Sequence, residues 1–319
     1  MHRLASFAAA AMLASCATMS TPPQARFLQT PAAFDAQAAY PEGPLWRDGL
    51  LYVAEMGADR VSVYDHGRKR TFFKREGCGP TALAPYGAGF LILCHVEGAL
   101  VAVDASANVR FTRGMDGEGH AFRDPNDCFE DGHGGVYFSD PGEFSKRTPP
   151  EGALVHIDAR GEVTRVAAGL WYPNGVYVNP AHTELYLSET FRRRVLRYQM
   201  NPDGSLGAMR VFADIDATAP RVQRFQPPYR EAGPDGLEMA ADGTMYVAIY
   251  GEGRIVRLSP EGRYLGEIDE PLRYLTNIAF DPAGNAYTTG AFENDTPPFP
   301  GQVRFHAAGT YPATAPAAH

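Results

Sequence analysis

Short apolar runs recur along this chain, each framed by Gly, Asn, Asp or Pro. Six of them share one pattern, an aromatic or aliphatic centre with polar or small ends: 50–55 (LLYVAE), 89–94 (GFLILC), 135–140 (GVYFSD), 184–189 (ELYLSE), 244–249 (TMYVAI) and 285–290 (NAYTTG). A turn after each run leads into an alternating segment, at 60–64, 99–103, 153–157, 195–198, 255–258 and 302–306. Period-two alternation bounded by turn residues predicts strands joined as hairpins. Further alternating stretches, such as 70–73 and 163–166, follow several of these and predict outer strands. Six similar units of about four strands, with no convincing helix, predict an all-β, six-bladed β-propeller. A jelly-roll sandwich would hold as many strands but leaves the likeness of the six units unexplained. The last unit lacks an outer strand, so residues 26–30 are expected to supply it and close the ring.

Composition changes little in this picture. Of 319 residues, 33 are Gly and 26 are Pro, as many tight turns require. Aromatics at 11% and hydrophobics at 45% exclude a disordered chain, and charged residues at 21% are too few for a coiled coil. The length allows two domains of ordinary size, but closed all-β architectures often exceed 250 residues as one. A net charge of −8 argues against nucleic acid and suits a cation or a neutral small molecule.

Residues 1–15 carry a short basic start, an apolar stretch and small residues before Cys16. This is the form of a secretory signal, too short to span a bilayer as a helix. Leu13-Ala14-Ser15-Cys16 has the form of a bacterial lipobox, which predicts lipidation of Cys16 and attachment on the periplasmic side of a membrane. Residues 16–38 read as a tether, 39–310 as the propeller and 311–319 as a disordered tail. Cys78, Cys94 and Cys128 remain after processing. Cys78 and Cys94 are expected at neighbouring strand ends, either as a disulfide or as two buried thiols.

Aligning the units brings one position into phase at the start of each innermost strand: Glu42, Cys78, Asn126, Asn174, Asp235 and Asn277. In a propeller these starts meet at one end of the central channel, so the residues are expected to form a ring. Carboxylate and amide oxygens suit a hard cation, which predicts calcium at the top of the channel. Zinc would prefer His and Cys, and magnesium a tighter octahedron. Magnesium, zinc and manganese are the alternatives.

The motifs Glu42-Gly43-Pro44, Pro125-Asn126-Asp127, Ser139-Asp140-Pro141, Pro173-Asn174-Gly175 and Pro234-Asp235-Gly236, in this order, resemble the senescence marker protein / gluconolactonase / luciferin-regenerating enzyme family. The resemblance covers roughly 40–306. It implies a divalent metal held at Glu42, Asn174 and Asp235, with Asn126 contacting metal or substrate. It also implies hydrolysis of sugar lactones, with organophosphates as substrates of relatives. The expected chemistry is a metal acting as Lewis acid on a carbonyl while Asp235 activates water. The alternatives are a phosphotriester hydrolase and a non-catalytic, calcium-stabilised binding propeller.

Arg123 and His120, just before Asn126, are expected to reach substrate over the channel mouth. Residues 213–234, with Arg221, Arg224, Tyr229 and Arg230, form either a lid or a solvated loop. Glu55, Asp140 and Glu189 end second strands and are expected to hold turns.

Overall fold

Each apolar run becomes the second strand of an antiparallel meander in the computed structural model, which describes residues 32–309 apart from 147, 148, 220, 222, 223 and 298. An edge strand, β1 (Ala32–Ala39), comes first. One sheet then contains β2 (Pro41–Arg47), β3 (Leu50–Glu55), β4 (Arg60–Asp65) and β5 (Arg68–Lys74). The next contains β6 (Pro80–Tyr86), β7 (Gly89–Cys94), β8 (Ala99–Asp104) and β9 (Val109–Arg113). The third is β10 (Cys128–Glu130), β11 (Val136–Asp140), β12 (Gly152–Ile157) and β13 (Val163–Leu170). The fourth is β14 (Pro173–Val178), β15 (Glu184–Glu189), β16 (Arg194–Met200) and β17 (Leu206–Asp214).

The remaining strands share an eight-stranded sheet. One half holds β18 (Gly233–Met239), β19 (Met245–Tyr250), β20 (Arg254–Leu258) and β21 (Tyr264–Asp269). The other holds β22 (Tyr274–Phe280), β23 (Ala286–Ala291), β24 (Pro300–His306) and β1. A single pair, Tyr250 with Tyr274, joins the halves. The only α-helix among the described residues is the four-residue Ile215–Thr218. The architecture is an all-β propeller.

The second strands are apolar because they are covered on both faces. All of β7 is buried: Leu91 and Leu93 pack towards Phe138 and Val155 of the third sheet, and Ile92 packs with Val61 and Val63 of the first. Outer strands such as β9 are mostly exposed and correspondingly polar.

β1 corrects two expectations. It pairs antiparallel with β24, from Ala32 opposite Phe305 to Ala39 opposite Pro300, so part of the stretch read as a tether is strand. Residues 26–30 lie outside the described residues. An unpaired β24 would leave an open row of backbone donors and acceptors. The Ala-rich β1 gave little alternation to read, yet Ala38 and Phe34 pack with Tyr64, Tyr287 and Val303.

Cys78 and Cys94 form a disulfide with Cα atoms 4.5 Å apart, and Cys128 is free and buried. The bridge ties the chain entering β6 to the end of β7, where Pro80 pairs with Cys94. Its reduction, or a Cys78→Ser/Cys94→Ser double variant, is expected to lower unfolding stability by about 2 kcal/mol. Identical melting curves with and without reductant would refute this.

Candidate active site at the axis

The innermost strands share an irregularity where they meet the axis. Register shifts fall at Glu42/Leu45, Pro80/Ala82, Pro173/Val176, Pro234/Leu237 and Leu275/Asn277. Such bulges re-aim side chains. Here the shifts at Pro80, Pro173 and Pro234 bring the next residues, Thr81, Asn174 and Asp235, into one cavity at one end of the channel. The sequence repeats Pro followed by an acid or amide four times, as Pro41-Glu42, Pro125-Asn126, Pro173-Asn174 and Pro234-Asp235.

Glu42, Asn126, Asn174 and Asp235 consequently line one cavity of about 210 Å³. All four are buried. Two other members of the expected ring are elsewhere. Cys78 is held in the disulfide. Asn277 donates to Asp127 Oδ2 at 3.3 Å and lines a larger cavity, about 420 Å³, formed by the later residues of the innermost strands. Thr276, not Asn277, follows the paired Leu275 as Asn174 follows Pro173 and Asp235 follows Pro234, and the next residue along a strand faces the opposite way. Neighbouring Thr276 instead sits at Glu42, and its hydroxyl bonds the Pro41 carbonyl at 2.8 Å.

Burial raises the carboxyl of Glu42 well above its ordinary range, and the charges of Asp235 and Asp127 add to this. Burial raises Asp235 in the same way, with Asp127 adding to it, while a hydrogen bond from Asn174 opposes the shift. Among the described residues no Lys or Arg lines the cavity. Two close buried carboxylates with no cationic side chain need protons or a cation.

The residues present fit a hard cation. Asn174 Oδ1 is buried with no hydrogen-bond partner, beside the two carboxylates. A lone buried amide oxygen is a costly arrangement in a finished core, and an ordinary one in an oxygen-donor site. Among the described residues no three His, Cys, Asp or Glu side chains gather as a metal site. The candidate set differs because half of it is amide.

Several residues at this cavity carried no earlier signal. His95 directly follows β7, and its Nδ1 is buried without a partner. Burial lowers its pKa to about 4, against the opposing pull of the Pro125 and Asp124 carbonyls. Tyr40 and Tyr172 precede Pro41 and Pro173 in left-handed backbone, with φ of 44° and 55°. Aromatic residues pay strain there, and such strain concentrates at functional sites. The repeated X-Pro-acid-or-amide pattern was the available signal for both tyrosines. Tyr40 Oη lies 2.8 Å from Tyr250 Oη, and Tyr172 bonds Asn126.

Arg123 and His120 do not reach the cavity. Arg123 pairs with Glu151 at 3.0 Å, and half-exposed His120 pairs with Asp116 at 3.0 Å. Backbone N–H groups of Arg123 and Asp124 donate to Asp140 Oδ1, which turns this segment away. Glu55 accepts from Ala39 N and Arg60, and Glu189 from Trp171 N and Arg194, so all three carboxylates hold turns. Within 213–234, Tyr229 packs on Tyr250 and Tyr274 at the rim, and Arg221 pairs with Asp216.

Residues 40–291 match the family described as the SMP-30/Gluconolactonase/LRE-like region. The chain is 27% identical over 270 residues to a 6-deoxy-6-sulfogluconolactonase of Pseudomonas putida, covering 79% of this chain and 84% of that protein. Its fold is similar to that of a gluconolactonase from Xanthomonas campestris (TM-score 0.69, 20% identity, 86% of this chain and 88% of that one). It is also similar to the calcium-binding protein regucalcin from Agrobacterium tumefaciens (TM-score 0.68, 20% identity, 88% and 94%).

Proposed function

Because this chain belongs to the SMP-30/gluconolactonase/LRE-like family, we propose that it is a divalent-cation-dependent hydrolase that opens lactone rings. One observation carries the reading: two buried carboxylates and two amides, from four separate repeats of the chain, converge on one cavity that among the described residues offers no compensating Lys or Arg. The lactonase names of the relatives agree with it. We read the eight-stranded sheet as two blades, making six, since each half is a four-stranded meander and one residue pair joins them.

Glu42, Asn174, Asp235 and Asn126 would hold the cation, with calcium favoured by an all-oxygen donor set. Bound there, it supplies Lewis acidity to a carbonyl oxygen. Asp235 accepts the proton of the attacking water, and the Asn174 amide holds the Asp235 carboxylate in place. In the neutral tautomer protonated on Nε2, His95 offers Nδ1 as a second acceptor on the same cavity wall. Tyr172 fixes Asn126 through their hydrogen bond. Tyr40, Phe144, Tyr250 and Phe299 shield the site from bulk water. A lactone, being an activated ester, suits a carboxylate base of modest strength.

The signal reading of 1–15 and lipidation at Cys16 belong to the same proposal and concern residues outside those described. The Cys78–Cys94 disulfide supports export, because disulfides persist in oxidising compartments.

Proton release during lactone hydrolysis, measured with and without EDTA, tests the function. Activity is expected to vanish with EDTA and return with calcium, and calcium is expected to raise Tm. Full activity after metal removal would refute the mechanism. A calcium-raised Tm with no hydrolysis of any lactone would leave a binding propeller instead.

A further inference from the structure

We propose that the axial site selects compact lactones bearing an apolar aryl or alkyl group over polyhydroxylated sugar lactones. This inference rests on the lactonase reading and narrows its substrate class.

The walls above the axial carboxylates are Tyr40, Met56, Phe144, Tyr172, Tyr250 and Phe299. The rings brace one another: Phe144 stands edge-on to Tyr172 at 4.8 Å and to Tyr250 at 6.0 Å, and Tyr40 is edge-on to Phe299 at 5.8 Å. A braced aromatic wall offers much apolar contact with little rotamer freedom left to lose.

Most polar groups on these walls already have partners within the protein. Thr81 Oγ1 donates to the Pro125 carbonyl at 3.2 Å, and Thr190 Oγ1 to the Pro234 carbonyl at 2.8 Å. The Asn294 amide donates to Tyr250 Oη at 2.8 Å, and Tyr250 shares a hydrogen bond with Tyr40. Tyr172 is engaged with Asn126. Among the described residues, setting aside Asn174, which belongs to the cation set, His95 Nδ1 and Asn294 Oδ1 are the buried atoms left without a partner on this wall. Asn294 Oδ1 accepts, and His95 Nδ1 accepts in the neutral tautomer that carries its proton on Nε2. The Asn294–Tyr250–Tyr40 chain leaves one phenolic hydrogen free to donate.

That supply suits one water and one ester group. A sugar lactone brings a ring of hydroxyls, each needing donors and acceptors where the cavity walls take it out of water, and a buried group left unpaired is costly. Arg123 and His120, the charged groups expected to read hydroxyls, are paired outside the cavity. An aryl or alkyl substituent needs no partner and gains by leaving water.

Proton-release assays on the calcium-loaded protein compare glucono-δ-lactone with a phenyl-substituted δ-valerolactone, which has the same ring size. After correction for each uncatalysed rate, kcat/KM for the phenyl lactone is expected to be at least tenfold higher. Phe144→Ala, at a partly exposed position that should still fold, is expected to shrink this ratio mainly by raising KM for the phenyl lactone. An equal or reversed preference in the wild type overturns the inference and leaves the lactonase reading standing. A ratio unmoved by Phe144→Ala also overturns it. No hydrolysis of either compound removes both readings together.

Discussion

Asp235→Asn is expected to reduce kcat/KM for lactone hydrolysis on the order of a thousandfold, the scale of losing a positioned proton acceptor. The substitution keeps the shape and removes the charge that both the water and the cation require. It should also weaken calcium binding, seen as a smaller rise of Tm on adding calcium. A second signature separates this from simple misfolding. In cation-free protein the carboxyls of Glu42 and Asp235 are raised, so the native state holds protons that the unfolded chain releases. Stability from these groups is present at low pH and is lost as pH rises through and above the ordinary carboxylate range. Asp235→Asn removes one such group, so without calcium the variant should melt higher than wild type at alkaline pH. Undiminished hydrolysis, or a variant less stable than wild type under those conditions, would contradict the assignment.

Gly175→Ala is expected to cost about 3 kcal/mol or more, lowering Tm by about 6 °C or more. Gly175 follows Asn174 inside a strand, where it is no turn residue. A Cβ there would overlap the Asp235 carbonyl oxygen and lie 2.8 Å from the Gly236 Cα. Both obstacles are backbone of β18, so no side chain can swing aside. The strands would have to separate where Asn174 and Asp235 face each other, and calcium-dependent activity should fall with stability. Gly114→Ala is the control, since a Cβ there meets only an ordinary contact at 3.8 Å. If both variants melt with wild type, the close approach of β14 and β18 does not matter energetically.

These expectations divide along what the chain made legible. Glu42, Asn126, Asn174 and Asp235 could be found because each stands after a Pro at the same phase of a repeat, and equal phase means equal position around the axis. Asn277 shared the apparent phase but lies one place past the matching residue, Thr276, and so faces the opposite cavity. Arg123 and His120 are near Asn126 in sequence, yet Asp140, Glu151 and Asp116 hold them outward. His95, Tyr250 and Asn294 come from three different strand ends or loops, with no shared pattern to align.

The amino-acid sequence by itself determined the all-β repeat, its hairpins and the phase of the axial residues. Local alternation and turn chemistry suffice for those, because they act over a few neighbouring residues. Only the tertiary structure decided which axial side chains share a cavity, that Ala32–Ala39 covers the β24 edge, and that Tyr40 and Tyr172 lean over the carboxylates. Each of these depends on where backbones from distant parts of the chain come within a few ångströms, and on bulges and left-handed residues whose strain only the closed ring sustains.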